Sequence, residues 1–591
     1  MHDDARRATP LIAGRIEPPG FWRERSPFAD EAGCFDFLAG ARGDADAFWL
    51  AESHGLPWSL PPACAGGPGD WFPGGRLDPS GAILERWARA GDAAVPLSDG
   101  AGVDIGAIAL AGEVGAMCAR LARLGLEPGS RVLLALPRGP GLAVTLLACL
   151  RLGLVAVPID PCGGDAGQMG RRARAAGCRG ALVDEVAVPL AADLPVATPG
   201  AMGDAVGAFE LPAAIAVGSM HPAVVFFDTA GRPYAVPVAG LLVQAVFAIE
   251  WLLRPLAGRP GRLWLETPVH HASFAAAALG ALLHGIELVV PGPGAPATSF
   301  DQARRIAGSG AHYAILHGPQ LAGAAPESRD GPFEPGSLEL VIIEGDSVAP
   351  GALMMLRERG LGGVVHVTQA VARPELGGFV AGYEPGAVPV LPGCAGPALP
   401  GFDLAVVDQR NRRCEAGLGG FAALGRAVPG LALELAHQAP PVLLGLRARA
   451  DRDGRLWPMG EGEVSRPETE HVSATEIEAL VSEIEGVDQV AVVHYTDARG
   501  VTRVAMYLET NLGKAAAEAA REAIAAHFGP GSVPEAIRPV KRLPITRTGK
   551  LLRSVLRRVA AGDLDGLEQV YDPEVIDGLV VSAAGGKSEE R

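Results

Sequence analysis

Four groups of side chains in this sequence have the type and setting for chemistry. Lys550 closes the run Pro544-Ile545-Thr546-Arg547-Thr548-Gly549-Lys550 and is followed by Leu551, Leu552, Val555 and Leu556, with Arg553, Arg557 and Arg558 between them. Proline and the Thr-Arg-Thr-Gly turn disfavour helix before Lys550, and the apolar spacing after it is helical. The sequence therefore predicts a lysine on a polar loop at the mouth of a basic amphipathic helix. From there its ammonium could swing into a neighbouring cleft; a solvated helix start is the plain alternative. The second group is the run His221-Pro222-Ala223-Val224-Val225-Phe226-Phe227, followed by Asp228-Thr229-Ala230-Gly231-Arg232-Pro233-Tyr234. It reads as a buried strand entering a short glycine-bearing loop. The third is Glu375, a carboxylate within Val371-Ala372-Arg373-Pro374-Glu375-Leu376-Gly377-Gly378. The fourth is the pair His270-His271, where a general base would need a positioned partner that the sequence does not reveal.

The elements that would carry these groups alternate between strand and helix. The run from Leu121 to Pro161 gives the clearest case: a turn at Pro128-Gly129-Ser130, an apolar strand at 131–136, a helix at 142–152 stopped by Gly153, and a strand at 155–158. Strand, helix and strand within about thirty residues imply a right-handed parallel crossover. Gly139-Pro140-Gly141 lacks the Gly-x-Gly-x-x-Gly pattern and downstream acid of a dinucleotide loop. Alternation continues through strands at 180–183, 263–266, 286–291 and 337–344 and an alanine-rich helix at 274–283. Towards the end of the chain, Ser473–Val481 reads as a capped helix, 487–494 and 501–509 as paired strands, and 515–527 as a helix. Near the other end, residues 1–20 read as a flexible leader. Trp22, Phe48, Trp49, Trp58, Trp71 and Phe72 mark an arm strapped to a larger body by aromatic anchors.

Composition bounds the function. Hydrophobic residues at 48% and charged ones at 20% describe an ordinary globular core. A net charge of −16 argues against a nucleic-acid surface, though not against a local basic funnel. The 8 cysteines form no Cys-x-x-Cys pair, so neither a zinc nor a redox motif is expected. The longest apolar run, near 143–157, is broken by Arg151 and too short to span a bilayer. No apolar segment follows Met1 as in a secretory signal. A cytoplasmic protein without a membrane partner is the expectation.

The 543–558 segment resembles the C-terminal lysine motif of AMP-forming acyl-CoA synthetases, the adenylate-forming superfamily. Asp70-Trp71-Phe72-Pro73-Gly74-Gly75-Arg76-Leu77-Asp78 is similar to the Trp-Phe-x-Gly-Gly-x-Leu-Asn stretch of its acetyl- and propionyl-CoA synthetase branch. The resemblance runs through residues 40–560 in spaced blocks. It implies an α/β fold: a large domain of layered α/β subdomains plus a β-rich subdomain, then a small mobile α+β domain. The corresponding boundaries are an N-terminal arm at 1–78, the large AMP-binding-like domain at 79–459, the small domain at 460–575 and a flexible tail at 576–591. It also implies ATP, Mg2+ and CoA as cofactors, and ATP-dependent adenylation of a short- or medium-chain carboxylate followed by thioester formation. Lys550 matches the lysine that contacts the carboxylate and phosphate oxygens, and Glu375 the glutamate that helps hold magnesium.

Several positions depart from the family pattern. The phosphate loop Thr-Ser-Gly-(Ser/Thr)-Thr-Gly-x-Pro-Lys-Gly keeps only Thr229, Gly231 and Pro233. Asp228 adds negative charge, and Tyr234 stands where the lysine belongs. Gly345-Asp346-Ser347 is a weak form of the adenine-packing Gly-Glu-Pro. Leu446 replaces the aspartate that takes both ribose hydroxyls, and Glu461 replaces the arginine that also holds the ribose. Pro374 replaces the threonine that contacts the α-phosphate. Val371 and Ala372 replace two tryptophans that wall a two-carbon acyl pocket, so any pocket should be larger than acetate requires. The expectation is an acyl-CoA ligase homologue with impaired adenylation. The alternative is a catalytically inactive homologue acting as a binding or regulatory partner for another protein.

Overall fold

The structure is a computed structural model of the 591-residue chain. It describes residues 11–12, 14–91, 93–161, 166–184, 194–198, 210–228, 231–255, 261–292, 299–318, 334–345, 348, 350–461, 474–482, 484–496, 502–528, 533–544, 551–564, 575–576 and 578–579.

Apolar runs of four to six residues become the inner strands of two large sheets. The six-stranded sheet runs Val196–Ala197, Gly180–Val183, Arg131–Ala135, Val155–Pro158, Pro222–Phe227 and Pro233–Pro237 in spatial order. Its strands are parallel except the last, which returns antiparallel along Pro222–Phe227. The expected crossover is present: Arg131–Ala135 and Val155–Pro158 pair in parallel on either side of the helix Pro140–Arg151.

The eight-stranded sheet runs Gly378–Gly382, His366–Arg373, Leu340–Glu344, Tyr313–His317, Arg262–Glu266, Glu287–Val289, Leu97–Ser98 and Asp104–Ile105. Only its two outermost strands are antiparallel to their neighbours. Strands covered on both faces need no polar alternation, and all five residues of both Tyr313–His317 and Leu340–Glu344 are buried.

The helices Val238–Leu253 and Ala272–His284 lie in the body between these sheets. The first touches strands of both sheets, and almost all its residues are buried. This matches a helix apolar on every side. Their close approach requires Gly280: a β-carbon there would collide with the Ala245 carbonyl and crowd Ile249.

Residues 20–53 fold as three helices, and their aromatic side chains do anchor. Trp22 lies 6.5 Å from Tyr313, Trp49 packs edge-on to Phe247 and Phe402, and Phe37 stacks on Trp251. Arg25 adds an ion pair to Glu339 at 2.6 Å. The flexible leader expected over residues 1–20 is corrected at its end, residues 1–10 being outside the described residues. Ile16 is buried and exchanges two backbone hydrogen bonds of 2.9 Å with Val390. A buried isoleucine backbone needs such partners, and an isolated antiparallel bridge to Val390 supplies them.

A four-stranded antiparallel sheet follows: Leu404–Val407, Gly419–Leu424, Val442–Ala450 and Leu456–Glu461. Last comes a three-stranded sheet, with Thr502–Thr510 antiparallel to Val487–Thr496 and parallel to Ala536–Val540. Alternate residues divide its two faces. Val490, Val492, Met506 and Leu508 pack with residues of the helices Ala474–Val481 and Lys514–Phe528. Ala491, Val493, Ala505 and Tyr507 pack with Val555, Leu556 and Val559 of the helix Arg553–Ala561. This is the amphipathic helix expected after Lys550. The whole is a mixed α/β protein with a large N-terminal part and a small C-terminal one. Among the described residues no helix is long and apolar enough to cross a membrane.

Candidate active site

The strands on either side of the loop expected to meet phosphate pair antiparallel. Phe227 pairs with Pro233, the Asp228 N–H donates to the Arg232 carbonyl at 3.2 Å, and Gly231 adopts a φ of 83°, a left-handed conformation suited to glycine. The Asp228 carboxylate is buried and turned into this hairpin. It accepts from the Arg232 backbone N–H at 2.8 Å, the Arg232 guanidinium at 2.7 Å and the Tyr234 hydroxyl at 3.4 Å. The sequence places its charge towards a ligand; instead the Arg232 backbone N–H and guanidinium take it up. Burial raises the Tyr234 phenol to about 12, aided by the charges of Glu375 and Asp228. Tyr234 is therefore a neutral hydroxyl where the family pattern expects a cation. Thr229 lies outside the described residues.

Glu375 sits in the turn after His366–Arg373, buried with Arg373. Arg373 Nε donates to Glu375 Oε2 at 3.1 Å and its terminal nitrogen to Oε1 at 3.2 Å, a two-point contact. Gly445 lies against this pair with a φ of 58°; a β-carbon there would stand 3.0 Å from Glu375 Oε1 and 3.2 Å from the Arg373 guanidinium. The adjoining segment is tied in as well, since Ala432 N–H donates to the Glu375 carbonyl at 2.8 Å and the Ala235 N–H to Glu434 at 2.8 Å. The hairpin, Glu375 and the Gly445 strand thus form one neighbourhood.

Leu446 and Glu461, the two positions matched to ribose contacts, are cross-strand partners between Val442–Ala450 and Leu456–Glu461. The Leu446 side chain is fully buried in the main hydrophobic core. Val371 and Ala372 are buried on the strand His366–Arg373, opposite Ala381 and Phe379 across a bulge. Gly345 donates its N–H to the Ala370 carbonyl at 3.2 Å, which places it beside that strand. Asp346 and Lys550 lie outside the described residues.

Three side chains beside the candidate site, Arg373, His317 and Glu344, stand outside the residues singled out from the sequence. Arg373 lies within the motif that carries Glu375. His317 and Glu344 end the apolar runs Tyr313–His317 and Leu340–Glu344. A polar residue closing a buried strand at its carboxyl end is the available signal, because ligands of open α/β sheets gather there. They also place beside His271 the neighbours that the sequence of the His270-His271 pair does not reveal. His271 Nδ1 lies 3.8 Å from Glu344 Oε2, and its ring stands edge-on to His317 at 4.6 Å. That contact is tertiary, between residues more than forty positions apart in sequence.

Two parallel-dominated sheets around shared helices, an antiparallel sheet and a small terminal α+β unit define the class of adenylate-forming enzymes. The chain belongs to the AMP-binding enzyme family: the pattern of that family matches residues 85–421, more than half of the chain, and that of the AMP-binding enzyme C-terminal domain matches residues 476–550. It is 23% identical to an acetyl-coenzyme A synthetase of Streptomyces coelicolor, over 93% of this chain and 95% of that one. An acetyl-coenzyme A synthetase of Pyrobaculum aerophilum is 30% identical over 32% of this chain and 31% of its own. Among solved structures, the acetoacetyl-CoA synthetase from Streptomyces lividans superposes with a TM-score of 0.76 at 18% identity, covering 98% of this chain and 100% of that one. At that identity the likeness shows the fold.

Proposed function

We propose that this chain is a diverged acetyl-CoA synthetase-like ligase homologue whose adenylation of a short- or medium-chain carboxylate is impaired. One observation carries the reading: the guanidinium of Arg373 binds both oxygens of Glu375 inside the protein. The family resemblance asks Glu375 to help hold Mg2+, a cation that takes oxygen ligands and keeps several waters. A guanidinium already supplies the positive charge at that carboxylate, and a second cation would meet repulsion there. The surroundings support the same conclusion. The Tyr234 phenol stays neutral, the Asp228 carboxylate sits in the hairpin, and Leu446 offers no acceptor to a ribose. Buried hydroxyls left without partners cost about 1–3 kcal/mol each. The described residues therefore do not fit a magnesium-bound nucleotide triphosphate, and CoA and Lys550 enter only as family expectations.

The test is carboxylate-dependent ATP–pyrophosphate exchange on the full chain, with straight-chain acids from acetate to octanoate, alongside calorimetry with Mg2+ and ATP. The expected result is exchange near background with weak or absent nucleotide heat. Vigorous exchange abolished by Lys550→Ala would overturn the reading and restore an ordinary synthetase.

A further inference from the structure

The carboxyl edge of the eight-stranded sheet holds a second cluster that uses none of Asp228, Glu375 or Leu446. Its residues come from the ends of two neighbouring strands and from the turn that follows a third. Glu344 ends Leu340–Glu344, His317 ends Tyr313–His317, and these strands pair in parallel with His317 opposite Glu344. Arg262–Glu266 is the next parallel strand. After it the chain turns and presents His271 at the start of the helix Ala272–His284. Parallel strands of similar length finish at one edge, so residues remote in sequence meet there.

The cluster is compact. His317 Nδ1 lies 3.1 Å from Glu344 Oε2, and His271 Nδ1 lies 3.8 Å from the same oxygen. One ligand atom from each residue falls within 4.8 Å of the other two. Zinc bonds of about 2.0–2.2 Å in tetrahedral geometry put ligand atoms roughly 3.3 Å apart, so small side-chain rotations would enclose an ion. Glu344 is buried, and both imidazoles face the same carboxylate oxygen, Oε2. A carboxylate in such a place needs a hydrogen-bonding partner or a metal. His317 is nearly buried, whereas the His271 side chain is 34% exposed. The set therefore has a closed inner side and one side open to solvent.

Imidazole nitrogens suit Zn2+ and its neighbours in the first transition row, while Mg2+ and Ca2+ prefer oxygen alone. Three protein ligands with a free fourth direction is the composition of open zinc sites rather than closed structural ones. We propose that His271, His317 and Glu344 form a binding site for a divalent transition-metal ion, Zn2+ foremost, with a coordination position open beside His271. The open position would take water or an oxygen ligand such as a carboxylate. The site shares no residue with the hairpin or with Glu375, on which the proposed adenylation defect rests.

The test uses the full chain, stripped with a chelator and dialysed. Zn2+ is then titrated with metal analysis after equilibrium dialysis, and Co2+ is added separately to look for ligand-field absorption. One equivalent of Zn2+ should remain bound, and Co2+ should give the intense visible bands of a low-coordinate site. His271→Ala and Glu344→Gln should each weaken Zn2+ binding more than about 100-fold, because loss of a direct ligand exceeds the effect of an outer partner. Should Glu344→Gln fail to fold, His271→Ala decides alone, its side chain being partly exposed. Failure to retain one equivalent, or retention unchanged in His271→Ala, overturns the proposal; in the latter case the three residues are a metal-free hydrogen-bonded cluster.

Discussion

Replacing Arg373 with methionine leaves the Glu375 carboxylate buried without its guanidinium. Arg373 and Glu375 are both only 1% exposed, and two hydrogen bonds of 3.1 and 3.2 Å join them. Breaking a buried pair from one side typically costs about 3–5 kcal/mol, most of it the desolvation of the ion left behind. In this variant burial would push the Glu375 carboxyl upward in the folded state. A raised folded value means that its stability contribution is complete at low pH and lost as pH rises through that value, at most about 1.4 kcal/mol per unit. Arg373→Met should therefore recover part of its loss between pH 7 and pH 5. Adding Glu375→Gln removes the stranded charge, so the double variant should be more stable than the sum of the single losses by roughly 2–3 kcal/mol. Urea unfolding midpoints for the four proteins at both pH values give the cycle. A single variant within about 0.5 kcal/mol of the unmodified chain, or a strictly additive double, would refute the reasoning. A related readout is functional: Arg373→Gln takes the guanidinium from Glu375 without adding a charge, and should increase Mg2+-dependent ATP heat if the guanidinium is what excludes the cation.

Two further outcomes follow from buried groups. His366 is buried, and burial, with the nearby Arg357 charge, depresses its imidazole from 6.5 to about 3. A base depressed on folding gives stability that is present above its ordinary value and lost as pH falls towards the folded one. Urea midpoints should therefore fall from pH 6.5 to pH 4 by up to about 1.4 kcal/mol per unit from this group, and His366→Leu should flatten that slope; an unchanged slope would refute the assignment. Leu446→Asp places the ribose-binding residue type into a fully buried core position. It should destabilise by about 3–5 kcal/mol in thermal or urea unfolding without nucleotide heat. An unchanged melting temperature with new ATP binding would show instead that the position faces a cleft.

Local order was largely written in the chain. Short apolar runs such as Val132–Leu136 and Leu340–Ile343, bounded by turn residues, read as strands buried on both faces, and Leu551, Leu552, Val555 and Leu556 mark a helix with one apolar side. Motif spacing was equally local, so Glu375, Gly231, Leu446 and Glu461 could be placed in a family frame from sequence. The sign of each substitution was legible too, because a leucine cannot accept a hydrogen bond wherever it sits. What no local pattern carries is the direction a side chain takes and the partner it finds. Asp228 could have faced a ligand; the antiparallel return of the chain brought Arg232 onto its carboxylate instead. Arg373 lies two positions from Glu375, yet their pairing required a tight turn and the backbone of Gly445 against them. His271, His317 and Glu344 are separated by 46 and 27 positions in numbering. They meet only because parallel strands end at a common edge. Sequence fixes what each group can do; the long-range pairing of strands decides which groups can do it together.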